Sequence, residues 1–158
     1  MKPIPSTAIA ILVSAGLLSG VAAVPARAAL GERAASVTQD QLRMKGQIRQ
    51  RAGVGYSVEE ITTPAGTVVK EFISPSDIVF AVSWRGPAMP NLAQTLGSTY
   101  FSMLTAAEKS ERPMLGHNHV QLRTPQLVVH AGGHMRFFFG VAYVPALLPP
   151  NVTIADLH

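Results

Sequence analysis

The sequence predicts an α+β fold: an antiparallel sheet of about five or six strands, one main helix packed on a face, and a short N-terminal helix. Three observations predict it. Two adjacent glycines, Gly132-Gly133, sit inside an apolar β-rich stretch over residues 127–144, a hairpin signal because tight two-residue turns need positive φ. Residues 56–62, 67–73 and 78–84 are three strand-like runs joined by short polar turns, which is an antiparallel meander by economy of connection. From Asn91 the apolar period becomes helical, with Leu92, Leu96, Tyr100, Met103 and Ala107 on one stripe.

The chain starts with Met1-Lys2, an uncharged apolar run over residues 8–24, Pro25, and Ala26-Arg27-Ala28. This is the layout of a secretory signal peptide: a positive start, an apolar run and a small-x-small cleavage site. We place cleavage after Ala28, which makes 1–28 a signal peptide and 29–158 a single α+β domain, periplasmic or secreted. A retained anchor is the competing reading, but the run is short and carries Gly16 and Gly20. No transmembrane segment is expected after cleavage. The chain has no cysteine, so lipoprotein anchoring, thiol catalysis and Cys-ligated metal sites drop out.

Removing Lys2 and Arg27 leaves eleven basic residues against nine acidic ones, a formal charge of +2. Nucleic-acid binding draws on several phosphate contacts from one basic patch, and here the basic residues stand singly along the chain. No nucleic-acid partner is expected.

Residues 36–45 read as the short helix, with Ser36 and Gln39 as a capping box, Gly46 as the stop and its charges as a solvated face. In the meander, Ile78, Phe80, Val82 and Trp84 share one side of a strand and Val79, Ala81 and Ser83 the other, so the larger set should face the core. Pro87 and Pro90 end this sheet segment. Gly97-Ser98 lies mid-helix, where glycine costs about 1 kcal/mol in propensity and favours a bend.

Residues 117–123 alternate, with Asn118, Val120 and Leu122 inward and His117, His119, Gln121 and Arg123 outward; Pro125 makes this an edge strand. In the final hairpin Met135, Phe137, Phe139, Val141 and Tyr143 share one face, against His134, Arg136, Phe138, Gly140 and Ala142. Burying one such aromatic stabilises by roughly 1.5 to 3 kcal/mol, so the first set reads as core. The tail closes with one helical turn near residues 153–157.

The sequence nominates no reaction. There is no nucleophile elbow, no His-Glu-x-x-His helix and no phosphate loop. A turn at Gly132-Gly133 pairs His130 with Met135 and sends His130 and His134 to opposite faces, which argues against a shared metal. His117 and His119, at i and i+2 on a strand, project to one side, but a zinc site wants three or four ligands and no spacing nominates the others. Glu59, Glu60 and Glu71 lie on neighbouring strands, where carboxylates are ordinarily exposed and paired with Lys70 or an arginine. No metal and no cofactor is expected.

The blocks Gly66-Thr67-Val68-Val69-Lys70-Glu71-Phe72-Ile73-Ser74-Pro75, Val79 to Trp84 followed by Gly86-Pro87, Leu96-Gly97-Ser98 with Tyr100-Phe101, Gly132-Gly133-His134-Met135-Arg136 and Val144-Pro145-Ala146-Leu147-Leu148-Pro149 occur in this order. Together they resemble the small exported proteobacterial proteins known as domain of unknown function 2844. The resemblance implies a bacterial envelope location and a single domain, and it adds no site residue. Ser76-Asp77 departs from the glycine that the family favours at that turn.

The leading expectation is an exported, non-enzymatic binding or accessory protein of the envelope, its partner an envelope protein or a small ligand. Its contact surface is the outward row His117, His119, Gln121 and Arg123, with His134 and Arg136 as second choice. The rivals are a metal-binding protein or metal-assisted hydrolase using His117 and His119, and a structural component of an envelope assembly.

Overall fold

The computed structural model describes residues 30–110 and 119–157. The expected leader and cleavage site, and His117 in the expected edge strand, lie outside them. The elements are α1 (Val37–Met44), β1 (Gln47–Ala52), β2 (Ser57–Thr62), β3 (Val68–Ile73), β4 (Val79–Gly86), α2 (Leu92–Ser110), β5 (His119–Arg123), β6 (Val128–His134) and β7 (Phe137–Tyr143). All seven strands form one antiparallel sheet in the order β1-β2-β3-β4-β7-β6-β5. The meander is β1 to β4; α2 then carries the chain to the far edge, and the hairpin returns so that β7 closes on β4.

The sheet has more strands than the five or six expected, and β1 is the one no pattern announced. Its sequence, Gln-Ile-Arg-Gln-Arg-Ala, carries a single large apolar residue, Ile48, and the strand is an edge exposed along most of its length. Pairing to β2 rather than burial holds it in place.

Both helices lie on one side of the sheet, here called the closed face. From α2, Leu96 and Leu104 pack against Ile61, Val69, Trp84, Val129 and Ala142, and Leu30 and Val37 complete the same cluster. Gly97 has φ 76° and ψ 166°, so the helix breaks at the glycine where a bend was expected. Asn91 caps the helix by accepting a hydrogen bond from the Gln94 amide at 3.2 Å. On β7, Gly140 leaves room for the Trp84 indole, since a Cβ there would stand 2.2 Å from Trp84 Cζ2.

The short helix differs from expectation at both ends. The Ser36 hydroxyl donates to the Arg33 carbonyl instead of capping, so the Ser36–Gln39 box does not form. The left-handed stop is Lys45, at φ 51°, one residue before Gly46. Asp40 is fully buried, which corrects the reading of this helix as a solvated charged face.

The hairpin exists, but it turns three residues later than its glycines suggested. His134 pairs with Phe137, so Met135-Arg136 is the turn, with Arg136 at φ 66°. Gly132 and Gly133 lie inside β6, where they permit close approach: a Cβ on Gly133 would meet the Phe137 carbonyl oxygen at 2.6 Å. Met135, placed in the core by the sequence reading, is 91% exposed, and Phe139 is 41% exposed. Alternation along β7 holds: Val141 and Tyr143 of the predicted core set are buried in a second cluster, while Ala142 of the opposite set packs in the closed-face cluster.

In β4, Ala81 pairs with Phe72 while Val79 pairs with Ile73, so Phe80 is an extra residue that offsets the alternation. Val79 therefore joins the closed-face cluster, and Phe80 joins a second one with Phe72, Ala81, Val128, Val141 and Tyr143. The chain end covers this second cluster: 3₁₀ turns at Pro145–Leu147 and Ile154–Leu157 bring Leu157 to full burial on it. The rest of that side is the open face. Among the described residues no helix is long and apolar enough to cross a membrane.

Candidate functional site

Residues directly opposite one another in a ladder share a face, so the registers determine what the open face carries. From β1 to β5 one row reads Arg49, Glu60, Lys70, Ser83, Val141, His130, Gln121. The next row towards the hairpin turn carries Val68, Arg85, Phe139, Gly132 and His119. Towards the other end lie Arg51, Val58, Phe72, Ala81, Tyr143, Val128 and Arg123, whose central members the chain end covers.

Between the aromatic end and the covered end lies a groove of about 620 Å³, lined by Val68, Phe137, Phe139 and Val141 with Lys70, Arg85, His130 and Glu60 among them. Its lining includes the small residues Ser83 and Gly140. A Cβ on Gly132 would come 2.8 Å from the His119 ring and 3.0 Å from Phe139 Cζ, so the glycine lets both rings lie close over β6. Phe137 and Phe139 have ring centroids 5.9 Å apart. Arg85 Cζ stands 5.1 Å from the Phe137 centroid, and His134 stacks on the same ring at 5.6 Å.

His119, Gln121 and Arg123 project from β5 as expected, all three exposed, and the register makes them the outer rim of this face. His134 stands at its hairpin end, its Nδ1 3.2 Å from the Met135 carbonyl oxygen. Arg136 belongs to the turn and does not line the groove. His130 and His134 lie on the same face, which corrects the expectation that they oppose each other. The cause is the later turn. Four residues apart on a strand, they are separated by about 13 Å along it, too far for two imidazoles to share one ion. Among the described residues no group of three or more His, Asp or Glu side chains is arranged to hold a metal.

The sequence reading missed Lys70, Arg85, Phe137, Phe139 and His130 as one site. These residues come from four strands, and only the pairings of β3 with β4, of β4 with β7 and of β6 with β7 bring them together.

The carboxylates divide between the two faces. Glu60 lies on the open face, its carboxylate 3.7 Å from the Arg51 guanidinium. Glu71 lies opposite Glu59 on the closed face, 2% exposed beneath α1, which corrects the view that these strand carboxylates are all solvated. Asp40 Oδ1 accepts from Gln94 Nε2 at 2.9 Å, while Asp40 Oδ2 and both Glu71 oxygens have no hydrogen-bond partner among the described residues. Burial, then the negative charges of Asp40 and Glu59, push the Glu71 carboxyl up to about 8. Burial lifts Asp40 to about 6, against the lowering effect of the Gln94 hydrogen bond and Arg43. Burial favours the protonated form of both carboxyls, but the pair lies under the helices and on the opposite side of the sheet from the groove.

A family model described as a protein of unknown function (DUF2844) matches residues 26–157. No curated protein and no solved structure matches the chain.

Proposed function

Because the chain belongs to the DUF2844 family, whose description names no activity, its role has to be read from its own surface; we propose that it is an exported, periplasmic, non-enzymatic binding protein that takes its ligand on the open face of the sheet. The leader over residues 1–28 supports export. The groove is the observation that carries the binding reading. An antiparallel sheet with one face left to solvent ordinarily presents polar residues there. Here that face presents Phe139 at 41% exposure, beside Phe137, Val68 and Val141, in a concavity within the size range of small-molecule sites.

Two measurements test this reading. N-terminal sequencing of the protein from its own periplasm is expected to start at Ala29. The purified protein is expected to enhance the emission of the uncharged dye N-phenyl-1-naphthylamine, and Phe139→Ser to weaken that binding about tenfold while the protein stays folded by circular dichroism. A folded wild-type protein that leaves the dye unperturbed overturns the assignment.

A further inference from the structure

We propose that the groove takes an anionic amphiphile, with an apolar body lying along Phe137, Phe139 and Val141 and an oxyanion head held by Arg85 beside Lys70. This inference rests on the binding function proposed above and adds the class of ligand. Its basis is charge complementarity. The registers bring Arg49, Arg51, Lys70, Arg85 and Arg123 to the open face, and among the described strand residues Glu60 is the one carboxylate they bring there. The chain after the leader carries only +2 overall, so the positive charge is concentrated on this face.

Position within the face selects the head-group site. Lys70 pairs with Ser83, and Arg85 lies two residues further along β4, so the two cations are diagonal neighbours about 7 to 8 Å apart at their backbones, within reach of one carboxylate, sulfate or phosphate. Arg85 engages the Phe137 ring, and no carboxylate pairs with it among the described residues. Contact with a ring satisfies the charge without supplying an acceptor, so the planar donor edge of the guanidinium remains suited to an oxyanion. Val68, Phe139 and Val141 lie within one residue of this point along their strands and accept the apolar remainder.

A basic sheet face with aromatic residues is also the form of a single-stranded nucleic-acid platform. Two features favour the amphiphile. Phe137 and Phe139 pack against each other at 5.9 Å rather than standing apart to take successive bases. The chain end, through Leu157 on Phe72, Phe80 and Tyr143, closes one end of the face, so a polymer has no straight path through it.

Equilibrium dialysis of dodecanoate and dodecanol, below the micellar concentration of each, tests the head-group assignment on wild type, Arg85→Gln and Arg85→Lys. The wild type is expected to bind dodecanoate at least about tenfold more tightly than dodecanol, as a charge-assisted contact implies. Arg85→Gln should bring the two within about twofold, and Arg85→Lys should keep part of the difference. Equal wild-type affinities for acid and alcohol overturn the anionic class and leave the groove standing. Binding of neither, together with a silent dye, overturns the groove itself. Tighter binding of an oligothymidylate than of dodecanoate also overturns the proposal, in favour of a nucleic-acid platform.

Discussion

The two faces of this sheet are built from the same strands and treat charge in opposite ways. On the closed face Glu71 and Asp40 lie beneath the helices, and burial raises both carboxyls, to about 8 and about 6, so they hold protons that solvated carboxyls would release. On the open face Arg85 and Lys70 lie beside the half-buried Phe137 and the exposed Phe139, and Glu60 sits near Arg51. Residue alternation alone separates the two populations. The sheet thereby sorts the charges of its strands into one face that buries acid and one that presents base. The first is a matter of stability, the second of the binding proposed above.

The sharpest way to break that division is to truncate a large side chain on each face. Leu96 is fully buried against the closed face, and Leu96→Ala should cost about 3 kcal/mol, within the range for cavity formation in a packed core. Phe139→Ser, on the open face, should cost about 1 kcal/mol or less in stability and act on ligand binding instead. Denaturant unfolding of both variants measures the contrast. A larger loss from Phe139→Ser would show that the open face belongs to the core.

The second effect is smaller and depends on pH. The Glu71 carboxyl is raised from 4.5 to about 8 on folding, so the folded state holds a proton that the unfolded chain releases. Its stabilising contribution is complete below pH 4.5 and is lost as pH rises towards 8; Asp40 behaves alike between 3.8 and about 6. Wild-type stability should therefore fall from pH 4 to pH 8. Glu71→Gln removes the upper part of that fall and should stabilise the protein at pH 8 by about 2 kcal/mol, or roughly 7 °C in Tm. Thermal unfolding at a series of pH values checks this, and parallel profiles for the two proteins would remove Glu71 from the account.

How far the sequence disclosed this arrangement follows from particular residues. The stripe from Leu92 to Ala107, the break at Gly97 and the meander strands are strong periodic signals, and the structure follows them. Gln47–Ala52 was missed because one apolar residue in six cannot announce an edge strand. Gly132-Gly133 misled because glycine marks either a turn or a close approach, and only the partner atoms of Phe137, Phe139 and His119 tell which. Glu71 read as solvated because nothing in its own strand reveals that α1 lies over it. The rim of the site was visible in the alternation of His119, Gln121 and Arg123. Its centre was not, since Lys70, Arg85 and Phe139 meet only through pairings among β3, β4 and β7.

The weakest expected effect lies at that rim. His119, Gln121 and Arg123 are exposed on an edge strand, so replacing all three with Ser should change stability by no more than about 0.5 kcal/mol. Arg123 stands on β5, three strands from β4, where the proposed head group is held, so its charge acts on approach rather than on the bound state. The triple variant should weaken dodecanoate binding about two- to threefold at low salt, and the difference should vanish near 0.5 M salt, where screening shortens the reach of an exposed charge to a few ångströms. If the loss persists undiminished at high salt, the row makes direct contact with the ligand and the site extends to the sheet edge. If low-salt binding is unchanged, the row plays no part, and recognition is confined to the groove between β3 and β7.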